Sequence, residues 1–187
     1  SGRIEELKPA AWLGGKTKVA TIAADGSADW VPLAGRSPDW RAAGPQTLRE
    51  QALRSGAAAL PAQAGDLVVR AAEDQPHNPD PEVLLQAWSL QALVEGLAVL
   101  AKAFPGARLH LALDGRRRAL AARIEEAAAG QGLALELHGL SAKYPQAHPE
   151  VLLPALLDPG RQRGAVVLDL QAVFHLRDAV VLGKPML

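Results

Sequence analysis

Glu73, Asp74, His77, Asn78 and Asp80 crowd into one proline-rich stretch, AAEDQPHNPDP, behind the apolar run DLVVR. Carboxylates with one imidazole could hold a divalent cation, and Glu73, His77 and Asn78 together could line a ligand crevice. The plainer reading makes Asp80 a helix cap and Pro76, Pro79 and Pro81 the stiffening of a turn, with Glu73 and Asp74 solvated. A second group is Lys143-Tyr144-Pro145-Gln146. Its lysine could neutralise a carboxylate or phosphate, and its tyrosine could stack on a flat ring or, equally, pack on the helix behind it. Both groups follow apolar runs. In an open α/β sheet, ligands bind just past the carboxyl ends of the strands, so both fall where a site belongs.

Other chemistries find little support. The chain has no cysteine, which excludes a disulfide framework, a thiol nucleophile and an iron–sulfur cluster held by this segment. A dinucleotide site usually shows G-x-G-x-x-G after its first strand, because only glycine lets the backbone close on a pyrophosphate. After Val69 this chain has RAAEDQPHNPDP, with no glycine and with two acids that would repel a diphosphate. Neither a Walker motif nor a G-x-S-x-G elbow occurs. His110 and His138 sit in strands between apolar neighbours and read as structural; His148 lies in a loop and His175 on the last helix. Arg116-Arg117-Arg118 opens a helix, where positive charge opposes the dipole, and reads as a solvated start, or else as an anion or partner contact. No acid–base catalytic set and no metal site is assigned.

The elements that must position these residues follow from the apolar pattern. Strand DLVVR precedes helix PEVLLQAWSLQALVEGLAVLAKAF, ARLHLAL precedes GRRRALAARIEEAAAGQG, LALELHGL precedes AHPEVLLPALL, and GAVVLDL precedes QAVFHLRDAVVLG. Four strand-then-helix units predict a Rossmann-like α/β domain over 65–187, its mostly parallel sheet covered by helices on both faces. Residues 1–33 read as small β structure (GRIEEL, KVATIAA and DWVPL, with turns at Gly14-Gly15 and Asp25-Gly26). About three short strands make no stable sheet alone, so either a domain begins before this segment or the strands pack onto the rest of the chain. Residues 34–64, opening with AGRSPDWRAAGPQ, read as linker and loop.

At 187 residues and 49% hydrophobic, the chain can bury one substantial core. Its 20 basic and 20 acidic residues cancel, so no global field favours nucleic acid or an anionic membrane. The apolar run from Val83 to Ala101 is interrupted by Gln86, Gln91 and Glu95 and reads as a core helix, with no direct membrane span. No secretory signal is visible in SGRIEELK.

KYPQ followed by EVLLPAL resembles a segment of the C subunit of the Rnf electron-transport complex, where Lys-Tyr-Pro follows the third strand of the central domain. AVVLGKPML is similar to that family's closing helix and its Gly-Lys-Pro turn. AAEDQPHNPDPEVLL resembles the matching loop of the A subunit of the sodium-translocating NADH:quinone reductase. SGRIEELKP and DGSADWVPL resemble the end of the lipoyl-like sandwich domain that precedes the central domain in both. These families share that central domain with the flavin-bearing subunit of respiratory complex I. The resemblance implies a peripheral subunit on the cytoplasmic side of a membrane redox complex, coupling NADH or ferredoxin oxidation to ion transport, with other subunits and quinone as partners. It implies FMN and NADH as cofactors, and Gly56, Glu73, Asp74, His77, Asn78, Lys143 and Tyr144 as the residues lining their crevice. Activity would belong to the assembled complex. Where the family has a glycine-rich loop ending Gly-Phe-Pro, this chain has Arg54 to Pro61, keeping only Gly56 and Pro61. Methyl groups in place of glycines obstruct the backbone's approach to a phosphate. An alternative is therefore an interaction scaffold of the same fold that has lost flavin and NADH binding.

Overall fold

The computed structural model describes residues 2–12, 15–27, 39–58, 60–72 and 80–184. The chain forms two compact units, Ser1–Pro32 and Leu33–Leu187.

In the first unit, β1 (Gly2–Trp12) and β2 (Gly15–Ala24) pair antiparallel, from Gly2 opposite Ala24 to Trp12 opposite Gly15. An irregularity between Ile4 and Glu6 shifts the register, so that Ile4 and Leu7 share a face with Ile22. All three are more than half exposed. The turn at Asp25-Gly26 is present: Gly26 has φ +76°, and the Asp25 carboxylate accepts from the Ser27 amide at 2.9 Å. The expected strand DWVPL lies outside the described residues.

The second unit carries the sheet. Strands β3 (Asp66–Ala71), β4 (Arg108–Asp114), β5 (Glu136–Leu140) and β6 (Ala165–Asp169) lie in the order β5-β4-β3-β6, and every neighbouring pair is parallel. Parallel strands need crossovers. Helices α2 (Pro81–Trp88) and α3 (Leu90–Ala103) lead from β3 to β4, and α4 (Arg118–Gly130) leads from β4 to β5. The short helices α5 (Pro149–Leu156) and α6 (Pro159–Gln162) return the chain to β6, and α7 (Leu170–Arg177) runs into a π-helical turn, Asp178–Leu182. Because β6 lies beyond β3, on the opposite side from β4, the last crossover covers the other face.

Alternation along the strands matches this layering. Leu67, Val69 and Ala71 join Leu109, Leu111 and Leu113 in the larger core, with residues of α1 (Pro45–Arg54), α3, α4 and α7. Val68, Ala112 and Leu140 form a smaller core with Ala147, Leu152 and Leu157. Helix α4 shows how little a crossover needs: Leu120, Ile124 and Ala128, four apart, are its buried stripe. Full burial of a leucine or isoleucine is worth about 1.5–3 kcal/mol, so the first two side chains alone can dock it.

Two expectations need correction. The single helix expected over 81–104 is broken at Ser89, which adopts φ +83° and caps α3 by accepting from the Ala92 amide at 3.3 Å. The break lets Trp88 stack on Phe174, with ring centroids 5.2 Å apart, and donate its indole N–H to Asp178 at 3.2 Å. Residues 45–54, read as linker and loop, instead form α1, with Leu48 and Ala52 fully buried in the larger core. Among the described residues, no helix is long and apolar enough to cross a membrane.

Helices α3 and α7 touch through Gly96. A Cβ placed there would lie 2.7 Å from the Val173 side chain and 2.7 Å from its carbonyl oxygen, closer than packed atoms approach. Replacing Gly96 with alanine must therefore push backbone aside, outweighing the alanine's gain in helix propensity. We expect Gly96→Ala to lose about 1–3 kcal/mol of stability in urea unfolding.

Candidate functional site

A cleft of about 400 Å³ opens at the carboxyl ends of β3, β4 and β5, within the size range of small-molecule sites. Ala71 and Ala72 line it from the end of β3, and Asp80 and Pro81 from the start of α2. Asp114, Arg116 and Arg117 come from the β4–α4 turn, and Lys143, Tyr144 and Gln146 from the connection that follows β5. The turn is drawn against β5 by glycine. The Gly115 amide donates to the Leu140 carbonyl at 2.8 Å, and a Cβ on Gly115 would lie 3.1 Å from that same oxygen.

The arginines that open α4 are engaged. Arg116 grips Asp114 through Nε, 3.0 Å from each carboxylate oxygen, and through a 2.6 Å contact from its terminal nitrogen. These bonds, with the Arg116 backbone N–H, hold the Asp114 carboxyl at about 2, below its usual 3.8 and against the opposing effect of burial. Arg117 pairs with Asp80, whose carbonyl accepts the first helical bond of α2 from Leu84. The triple-arginine run is thus neither simply solvated nor a free anion contact: two of its members are tied to acids across the cleft wall.

Lys143 and Tyr144 are brought together at the rim, as the sequence suggests. Lys143 makes no ion pair among the described residues, and Tyr144 is 77% exposed, not packed on the helix behind it. The Tyr144–Pro145 peptide is cis. Gly56 is elsewhere. It follows α1 with φ +76°, its amide bonded to the Leu53 carbonyl, which is helix termination and not a phosphate cradle; it does not line the cleft. Glu73, Asp74, His77 and Asn78 lie outside the described residues, and the residues flanking them, Ala72 and Asp80, both line the cleft. At the switch point between β3 and β6, Arg70 pairs with Asp169 and reaches the Ala147 carbonyl at 3.4 Å.

A second polar cluster, at the opposite end of the sheet, was not foreseen from the sequence. Asp66, 2% exposed, accepts from His110 Nε2 at 3.0 Å, from Arg108 at 3.1 Å and from Arg161 of α6. Burial raises the Asp66 carboxyl, but the Arg161 and His110 hydrogen bonds and the two guanidinium charges prevail and hold it at about 2. On the other side of the His110 ring, Nδ1 lies 3.0 Å from His138 Nε2 and 3.2 Å from Glu136 Oε2. Desolvation lowers the His138 imidazole's pKa, the neighbouring His110 adds to this, and Glu136 opposes it. The signal available in sequence was the E-x-H alternation of β5, which puts Glu136 and His138 on one face.

No protein-family model matches the sequence, and no curated protein matches it. Solved structures do share the fold. A chain of the NAD⁺-reducing [NiFe]-hydrogenase in its H₂-reduced state superimposes with a TM-score of 0.55 over 73% of this chain, at 16% identity, and a chain of its air-oxidised state with 0.56 over 73%, at 18% identity. This chain spans only 31% and 30% of those two. The likeness is one of fold.

Asp114 gives the cleft a measurable pH dependence. Its carboxyl is depressed in the folded chain, so its stabilisation is complete above about 3.8 and is lost as pH falls toward about 2. We expect Asp114→Asn to be less stable than the parent at neutral pH, with the gap closing across that acid window when urea midpoints are compared.

Proposed function

We propose that this chain is the Rossmann-like part of a subunit of an NADH-linked redox complex, of the Rnf or NADH:quinone oxidoreductase type. In this reading the cleft beyond β3, β4 and β5 receives the flavin or nicotinamide nucleotide. The observation that carries it is the pairing of Lys143, a cation without an ion-pair partner among the described residues, with the exposed Tyr144 ring at the cleft rim. A nucleotide offers the matching chemistry, a flat ring for the tyrosine and a phosphate for the lysine. The starts of α2 and α4 also open here, and the positive ends of their dipoles favour anions. When bound, the cofactor would carry the electrons; the chain's residues would hold and orient it. The likeness of fold to an NAD⁺-reducing hydrogenase supports the same direction. Placement at a membrane face, with other subunits and quinone as partners and ion transport as the coupled process, belongs to the same proposal.

The alternative, a docking scaffold without cofactor, draws on a specific observation. The cleft arginines are already neutralised by Asp80 and Asp114, and Gly56 lies outside the cleft.

Fluorescence titration of the purified chain with FMN and with NADH separates the two. The nucleotide reading expects saturable micromolar binding of at least one, weakened roughly 10–150-fold by Lys143→Ala, since a charge-assisted hydrogen bond is worth about 1.5–3 kcal/mol, and weakened also by Tyr144→Ala. Absence of saturable binding by either ligand would remove the nucleotide reading and leave the scaffold.

A further inference from the structure

We propose that His110, His138 and Glu136 form a binding site for a borderline transition-metal cation of the Zn²⁺ class, at the amino end of the sheet. Three donor atoms converge there: His110 Nδ1, His138 Nε2 and Glu136 Oε2 all lie within 4.8 Å of one another, with Nδ1 at 3.0 and 3.2 Å from the other two. A tetrahedral zinc with bonds of about 2.0–2.1 Å separates its ligands by roughly 3.3 Å, so both contacts of His110 Nδ1 are near that spacing, and adjustment of the exposed Glu136 side chain would set the third.

The register of the sheet builds this set. His110 of β4 stands directly opposite Glu136 of β5, and His138 follows two residues on, projecting from the same face. What points the ligand nitrogen inward is Asp66. A carboxylate only accepts, so the His110 Nε2 facing it at 3.0 Å donates, and the ring's other nitrogen, Nδ1, is turned toward His138 and Glu136. A carboxylate fixing a histidine behind its metal-binding nitrogen is the usual outer support of zinc ligands, and here it is itself held by Arg108 and Arg161. Those two cations do not oppose the ion directly, because they are paired to Asp66 on the far side of the His110 ring.

Ligand chemistry narrows the ion. Two imidazoles and one carboxylate suit Zn²⁺, Co²⁺ or Ni²⁺ better than Mg²⁺ or Ca²⁺, which prefer oxygen alone. Burial differs along the set: His110 is 1% exposed, His138 is half-buried, and the Glu136 side chain is 56% exposed. The ion therefore enters from the β5 edge, and the fourth position faces solvent. The site lies at the opposite end of the strands from the cleft and does not depend on what the cleft binds.

The test uses the tag-free chain, stripped with chelator and titrated with Zn²⁺ by calorimetry and with Co²⁺ by visible absorption. The expected result is one equivalent bound with micromolar or tighter affinity, ligand-field bands from Co²⁺, and no competition from Mg²⁺. Since His110 is buried and its loss could unfold the chain, the variants are His138→Ala and Glu136→Gln on the accessible strand, with His175→Ala as control. His138→Ala should weaken Zn²⁺ at least as much as the roughly 10–100-fold that losing an outer support costs. Glu136→Gln should weaken it less, and His175→Ala should leave it unchanged. Failure of the parent chain to bind a stoichiometric ion would overturn the proposal, as would binding that survives His138→Ala with circular dichroism still showing a folded chain.

Discussion

A carboxylate buried at the amino end of the central strand holds this fold's most demanding corner. Asp66 receives hydrogen bonds from Arg108 and His110 of β4 and from Arg161 of α6, so one side chain ties the first strand of the sheet to its neighbour and to the crossover that returns from β5. Backbone bonds converge at the same level, Gly65 donating to Gly164 and accepting from Arg108, each at 3.0 Å. An interior ion pair adds little net stability over an apolar equivalent, yet removing one partner commonly costs about 3–5 kcal/mol, since it strands a charge. Such an interaction selects one arrangement over others. Helix α6 has four residues and none of them is buried, so Arg161 is its firm attachment to the sheet.

With the amino end closed in this way, the architecture follows from rules that act on the sequence pattern. β3 is apolar on both faces because it is central, with β4 on one side and β6 on the other. Such a run, DLVVRA, can be read as a buried strand without knowing its partners. What could not be read was the break at Ser89. Its flanks, PEVLLQAW and LQALVEGL, continue one apolar period, which masks the N-cap that Ser89 offers. Only the position of Phe174, some eighty residues later, makes turning Trp88 at that point worthwhile. Helix α1 escaped for a related reason. Its surroundings are rich in glycine, proline and alanine, and its burial depends on contacts with α3 and the closing π turn.

The candidate sites divide along the same line between local and non-local information. Lys143 and Tyr144 were legible because a loop after a strand has a known destination in this class of sheet. The neutralisation of Arg116 and Arg117 was half legible: Asp114 is two residues from Arg116, but Asp80 is far from Arg117 in sequence and meets it only in the folded chain. The trio of His110, Glu136 and His138 was hidden because it is written in register. Each histidine considered alone sits between apolar neighbours and looks structural. Pairing His110 with Glu136 across two strands is what turns separate side chains into a set.

The two ends of the sheet consequently differ in chemistry for different physical reasons. At the carboxyl end, helices begin where strands stop, so α2 and α4 bring the positive ends of their dipoles to the cleft. A metal ion needs no dipole; it needs lone pairs fixed at short separations, and adjacent strands supply these because a paired register sets side chains on one face about 5 Å apart. Asp66 then does double duty, closing the sheet and orienting His110 so that Nδ1 faces His138 and Glu136. The buried carboxylate that ties β3 to β4 and α6 is thus the one that orients the amino-end cluster for a cation, while the cleft at the other end owes its character to loops and helix starts.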